Sequence, residues 1–143
     1  LHVYATRAEG VDYSKVHLEG WRTQQELLLE LSKGGGFGLV WGNSENPAEE
    51  RDYYKENVSY KLTTYLAAGI PVVVPDYLSN ADYIREKGLG FVVSSLEEAS
   101  RVVQECTAEE YDQMVTRAKY TAYLIKNGYF TKKLFIDSMM LLD

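Results

Sequence analysis

The sequence is poor in the residues that would commit it to several common lifestyles. It has one cysteine, Cys106, so an internal disulfide is excluded and a reducing, cytoplasmic setting is expected. No apolar run approaches the roughly 20 residues a membrane span needs. Basic residues are outnumbered, 15 Lys and Arg against 21 Asp and Glu, for a net charge of −6. They are also scattered, which argues against nucleic acid as the main partner and leaves room only for a local basic pocket. The two histidines, His2 and His17, have no Cys, Asp or Glu at ligand spacing and are read as strand positions, not metal ligands. No G-x-G-x-x-G follows the first apolar run, so a dinucleotide cofactor is not expected. The chain starts without Met, directly on apolar residues, and reads as a cut inside a longer protein with no signal peptide.

What is present is an alternation. Hydrophobic residues are 45% of the 143, enough for one packed domain burying roughly 70% of its unfolded surface. Short β-branched runs predict strands at Leu1–Tyr4, Val16–Glu19, Gly38–Trp41, Pro71–Val74 and Gly90–Val93. Between them lie stretches of helical period with capping signals. Thr23-Gln-Gln-Glu26 is a capping box, and Gly34, Gly35 and Gly36 stop the helix it opens. Ser95 opens a helix to about Cys106, and Thr107 opens a longer one that Gly128 caps near Asn127. A last amphipathic helix is expected from Thr131 to Leu142. Residues 5–15 are too short and polar for a crossover helix, and Gly42–Asn57 reads as a long polar loop. The pattern is α/β, a Rossmann-like parallel sheet flanked by helices.

In such sheets ligands bind beyond the carboxyl ends of the strands, where helix N-termini point. The helix predicted over Ser59–Ala68 opens in that region, with Ser59 as its N-cap. Lys61 lies in its first turn, where a cation opposes the helix dipole. Such a placement points to an anion bound by both, a phosphate or diphosphate. The alternative is a solvated surface lysine that carries a small dipole cost. Tyr53, Tyr54, Tyr60 and Trp41 surround the turn and offer flat faces for a base or sugar, or else packing that pins the segment down. Glu45, Glu49, Glu50 and Asp52 could supply a general base but are read as a solvated loop; Asp76 is the better partner for a sugar hydroxyl. Cys106 has no basic neighbour and is read as a packed thiol.

Taken in order, Gly36-Phe-Gly-Leu-Val-Trp-Gly-Asn43, the tyrosine-rich segment, Asn57 to Val74 and Ser79 to Val93 form a pattern. It resembles the carboxyl-terminal, donor-binding domain of a GT-B glycosyltransferase. The closest resemblance is to bacterial glucosyltransferases that extend O-linked GlcNAc on serine-rich repeat adhesins, over roughly residues 1 to 140. It implies a hexosyltransferase taking glucose from UDP-glucose to a glycoprotein acceptor, with no metal and a homo-oligomeric full-length form. It further implies that residues 1–143 are the nucleotide-sugar-binding domain, and that the acceptor domain is absent and the fragment alone inactive. By position, Asn57 and Lys61 would meet ribose and diphosphate, with Tyr54 lining the donor site beside Ser59 and Tyr60. Trp21 and Arg22 would meet the base, and Trp41, Gly42 and Asn43 the phosphate or sugar end.

The sequence also departs from the pattern. Gly36 and Thr64 stand where many retaining GT-B enzymes carry a glutamate pair, and Tyr60 replaces a histidine. Neither stereochemistry nor a catalytic residue is assigned. The competing reading is a non-catalytic GT-B-like scaffold subunit that stabilises or oligomerises a partner transferase; a sugar-epimerase-like nucleotide-binding half is a third.

Overall fold

A computed structural model describes residues 1–10, 12–42 and 46–141. The chain runs β1 (His2–Val3), β2 (His17–Leu18), α1 (Gln24–Gly34), β3 (Gly38–Leu39), α2 (Pro47–Glu56), α3 (Tyr60–Ala68) and β4 (Val72–Pro75). It continues through α4 (Ala81–Lys87), β5 (Gly90–Val93), α5 (Leu96–Glu105), α6 (Ala108–Lys126) and α7 (Tyr129–Met140). The architecture is α/β, with short parallel sheets flanked by helices. All five predicted strands are present. The first three are shorter than the apolar runs, although ladder-like bonds continue past them, as in Val40 N–H to the Val73 carbonyl at 2.9 Å.

The strands form two sheets. β1 and β2 pair in parallel, with His2 opposite His17 and Val3 opposite Leu18. β3, β4 and β5 form the main sheet in that order, with Gly38 opposite Val72 and Val72 opposite Gly90. β4 is central, and its three valines are buried because helices cover both of its faces. Val72 and Val74 join Leu62, Leu66 and Ile84 in one core cluster, while Val73 joins Val93 and Ala99 in the other. This is why the run Val72-Val-Val74 shows no polar alternation. α6 packs along α3 and buries Ala118, Thr121 and Ala122.

The capping signals hold. Thr23 and Thr107 each close a complete capping box, and the Ser95 hydroxyl accepts from the Glu98 N–H. No helix occupies the described part of residues 5–15, as their composition predicts. Gly42–Asn57, expected as a polar loop, is instead largely helix. Asn46 caps α2, Pro47 takes its first turn, and Glu49 and Glu50 face the dipole favourably. α4 is an element that no start signal in the sequence singled out. α7 forms where an amphipathic helix was expected, from Tyr129, yet none of its residues is buried. No helix among the described residues is long and apolar enough to cross a membrane.

Candidate functional site

The two sheets do not pair with each other, and clefts lie along the seam between them. One, of about 460 Å³, is walled by residues 1–5 on the β1 side and by Leu39 and Trp41 at the carboxyl end of β3. Its remaining wall is Leu27 of α1 and the first turns of α3, through Tyr60, Lys61, Thr64 and Tyr65. A second, of about 480 Å³, continues the seam past Tyr4 and Tyr65 to Gly34–Phe37.

α3 begins here because Ser59 takes the extended N-cap conformation, and its carbonyl accepts from the Thr63 N–H at 3.2 Å. The Ser59 side chain is buried and makes no cap bond, and the first turn carries no acidic residue. The helix therefore enters the cleft with its positive end uncompensated by side chains. Lys61 does not wave free above that end. Its Nζ donates to the Trp41 carbonyl at 2.9 Å, which ties the helix start to the strand end and leaves two ammonium hydrogens for another partner. Tyr60 is 63% exposed and presents its ring to the same space.

Trp41 is half-buried and meets Tyr77 edge to face at 6.4 Å. Behind it, α2 is clamped onto the sheet. The Tyr77 hydroxyl donates to Glu50 Oε1 at 3.1 Å, and the Arg51 guanidinium lies 5.2 Å from the Tyr77 ring centre. A Cβ on Gly42 would collide with the Glu50 carboxylate, so the glycine leaves room for that carboxylate to reach Tyr77. Burial pushes the Tyr77 phenol up to about 12, helped by its bond to Glu50. Burial likewise raises Tyr65, with Tyr4 adding to it, and both phenols remain donors at neutral pH.

Of the residues singled out in the sequence, Trp41, Tyr60 and Lys61 line one cleft, and Ser59 stands directly behind them. Tyr54 is 9% exposed and belongs to the core, meeting Tyr77 at 6.2 Å. Asn57 ends α2, and both its main-chain N–H and its side-chain Nδ2 donate to the Tyr53 carbonyl at 3.0 Å. Trp21 is 69% exposed. Arg22 pairs through Nε with Glu30 at 2.9 Å, turned along α1 and outside the cleft lining. Asn43 and Glu45 lie outside the described residues. Thr64 and Tyr65 were not picked out as ligand residues. Their spacing of three and four from Lys61 puts them on its helix face, and that signal was available.

His2 Nδ1 lies 2.6 Å from Glu19 Oε1, and its ring stacks on His17 at 5.1 Å. Among the described residues, no group of three or more His, Cys, Asp or Glu side chains is arranged to hold a metal ion. Cys106 is half-buried, and burial raises its thiol, as fits a packed side chain.

Residues 1–138 match the family described as Glucosyltransferase 3-like, C-terminal domain. The chain is 56% identical over 140 residues to Glucosyltransferase 3 of Streptococcus gordonii, a match covering 98% of this chain and 42% of that protein. Over 124 residues it is 36% identical to Glucosyltransferase 3 of Streptococcus parasanguinis, covering 87% of this chain and 36% of the relative. A more distant similarity, 32% over 100 residues, is to beta-1,6-galactofuranosyltransferase WbbI of Escherichia coli strain K12. That match takes in 68% of this chain and 30% of the relative. The chain thus spans well under half the length of each of these relatives.

Proposed function

The chain belongs to the Glucosyltransferase 3-like, C-terminal domain family, and from that premise we propose that it is the donor-binding part of a glycosyltransferase. The complete enzyme would move a hexose, glucose, from a UDP-sugar to an O-glycosylated protein, with this chain as the carboxyl-terminal half of a GT-B fold. Relatives named for glucosyl and galactofuranosyl transfer support the reaction class. The observation that carries the reading is the seam cleft, where the uncapped start of α3, Lys61, Tyr60 and Trp41 converge.

In this reading the donor diphosphate sits against the first-turn N–H groups of α3 and the two remaining hydrogens of Lys61. Developing charge on the leaving diphosphate is then met by fixed donors and a dipole, with no metal required. Tyr60 and Trp41 offer ring faces to the sugar or base. Because Lys61 is already held by the Trp41 carbonyl, little side-chain freedom is lost when the anion arrives. Acceptor binding and the catalytic base are assigned to the part of the protein beyond this chain.

Titration calorimetry with UDP and UDP-glucose tests the proposal. Lys61→Ala should weaken UDP at least tenfold, about 1.4 kcal/mol, while the protein stays folded with at most a modestly lower thermal midpoint, because the bond to the Trp41 carbonyl is lost. The other reading, a non-catalytic subunit that assembles a partner transferase, is favoured by the exposed apolar surface of α7. A full-length protein that is folded and binds neither ligand would select it.

A further inference from the structure

A larger cleft, of about 880 Å³, lies away from the seam, walled by α4, α6 and α7. Residues 86, 87 and 89 line it where the chain turns from α4 into the start of β5. It therefore opens at the amino end of the main sheet, whereas Trp41 and Lys61 stand at the carboxyl end.

Its chemistry is aromatic and cationic in a chain whose net charge is −6. Tyr83 from α4 is fixed edge to face against Phe130 at 6.3 Å. Tyr120 from α6 is 64% exposed and leaves its ring uncovered at the cleft. Arg117 precedes Tyr120 by three residues, so helix spacing brings guanidinium and ring side by side on one face. Arg117 also lies on the left-handed turn at Gly88, where a Cβ would collide with its guanidinium. Among the described residues it makes no ion pair or hydrogen bond, whereas Lys133, on the same cleft, is held by Asp137 at 2.7 Å. A guanidinium fork beside this turn with no carboxylate partner has the geometry to take a planar acid or a phosphate.

We propose that this cleft binds an anionic saccharide, a sugar ring bearing one phosphate or carboxylate. The ring stacks on Tyr120, the acid group pairs with Arg117 beside Lys87, and the Tyr83 hydroxyl and Glu86 carboxylate meet the sugar hydroxyls. Tyrosine faces suit the C–H side of a sugar, and the volume suits a small saccharide. Glu86 lines the same cleft and supplies a carboxylate that accepts from sugar hydroxyls, which bare phosphate lacks. The proposal rests on this cleft alone and is independent of the donor reading.

The test is a titration of the full-length protein with glucose 6-phosphate, glucuronate, glucose and inorganic phosphate, followed by protein NMR or calorimetry. The expected result is saturable binding of glucose 6-phosphate, glucuronate or both, at least tenfold tighter than glucose or free phosphate. The two charged sugars report whether phosphate or carboxylate is the preferred acid. Arg117→Gln and Tyr120→Ala, both on the helix surface, should each weaken that binding at least tenfold with UDP affinity unchanged. Equal binding of bare phosphate or of neutral glucose overturns the proposal. So does loss of the charged-sugar binding in Lys61→Ala but not in Arg117→Gln, or no binding by protein of unaltered thermal midpoint.

Discussion

The Tyr77 hydroxyl reaches across from the end of β4 to Glu50 on α2, and this bond helps fasten a helix to the rim of the candidate site. Burial, reinforced by Glu50, raises the phenol from its ordinary 10 to about 12. A folded-state value above the unfolded one stabilises the protein fully below pH 10, and the benefit drains away as pH rises toward 12. An ultraviolet difference titration should show several tyrosines ionising above the ordinary range, with Tyr77 near 12, and Glu50→Gln should bring that late step part of the way back. A late tyrosine that Glu50→Gln leaves unmoved would show that the bond has no electrostatic weight.

Two glycines on the main sheet should differ in their tolerance of a methyl group. At Gly38 a Cβ would fall on the Tyr65 ring, which must shift within its packing but is a side chain and not backbone. At Gly90, with φ +152°, it would strike the backbone of Val72 on the neighbouring strand, which cannot shift in that way. Gly38→Ala should cost about 1–3 kcal/mol, and Gly90→Ala clearly more. Urea denaturation of both variants checks the order, and the reverse order would contradict the strand register.

Three carboxylates cap helices: Glu26, Glu98 and Glu110 each accept from a main-chain N–H and a hydroxyl just upstream. Those bonds lower all three below the usual glutamate range. Depressed folded-state values stabilise above the unfolded value and are lost as pH falls through the folded one. Stability should therefore decline on the acid side, and Glu26→Gln, Glu98→Gln and Glu110→Gln combined should flatten that decline. Thr107→Ala, removing one cap outright, should cost about 1 kcal/mol at neutral pH. Thermal melts across the acid range measure both, and an unchanged slope in the triple variant would refute the assignment.

The strands were legible because β-branched runs have few other uses, and three of the helix starts because their caps are local. α2 was not, since Pro47 to Glu56 is so polar that no apolar period survives. Its only sequence signal was the order Asn46, Pro47, Glu49, Glu50, a cap, a first-turn proline and two acids. Tyr54 looked like a site residue for the same reason: without the helix, nothing showed that it faces inward onto Tyr77. The partner of Lys61 was beyond reach in another way. A carbonyl twenty positions earlier has no side-chain identity to read, and only the packing of α3 on β3 brings it near. By contrast, the choice of Trp41, Tyr60 and Lys61 needed only the rule that strand ends and helix starts share a rim.

The seam between the sheets also divides the molecule by stiffness. Both core clusters are drawn from Phe37 onward, while β1 and β2 share a two-residue ladder and α1 buries none of its side chains. In hydrogen exchange the amides of β4 should be among the last to open, and those around His17 and Glu19 among the first. A ligand held between Tyr4 and Lys61 would bridge a firm body and a loose one. Its arrival would then register as slowed exchange not only in residues 1–5, which line the cleft, but also around His17 and Glu19, which do not.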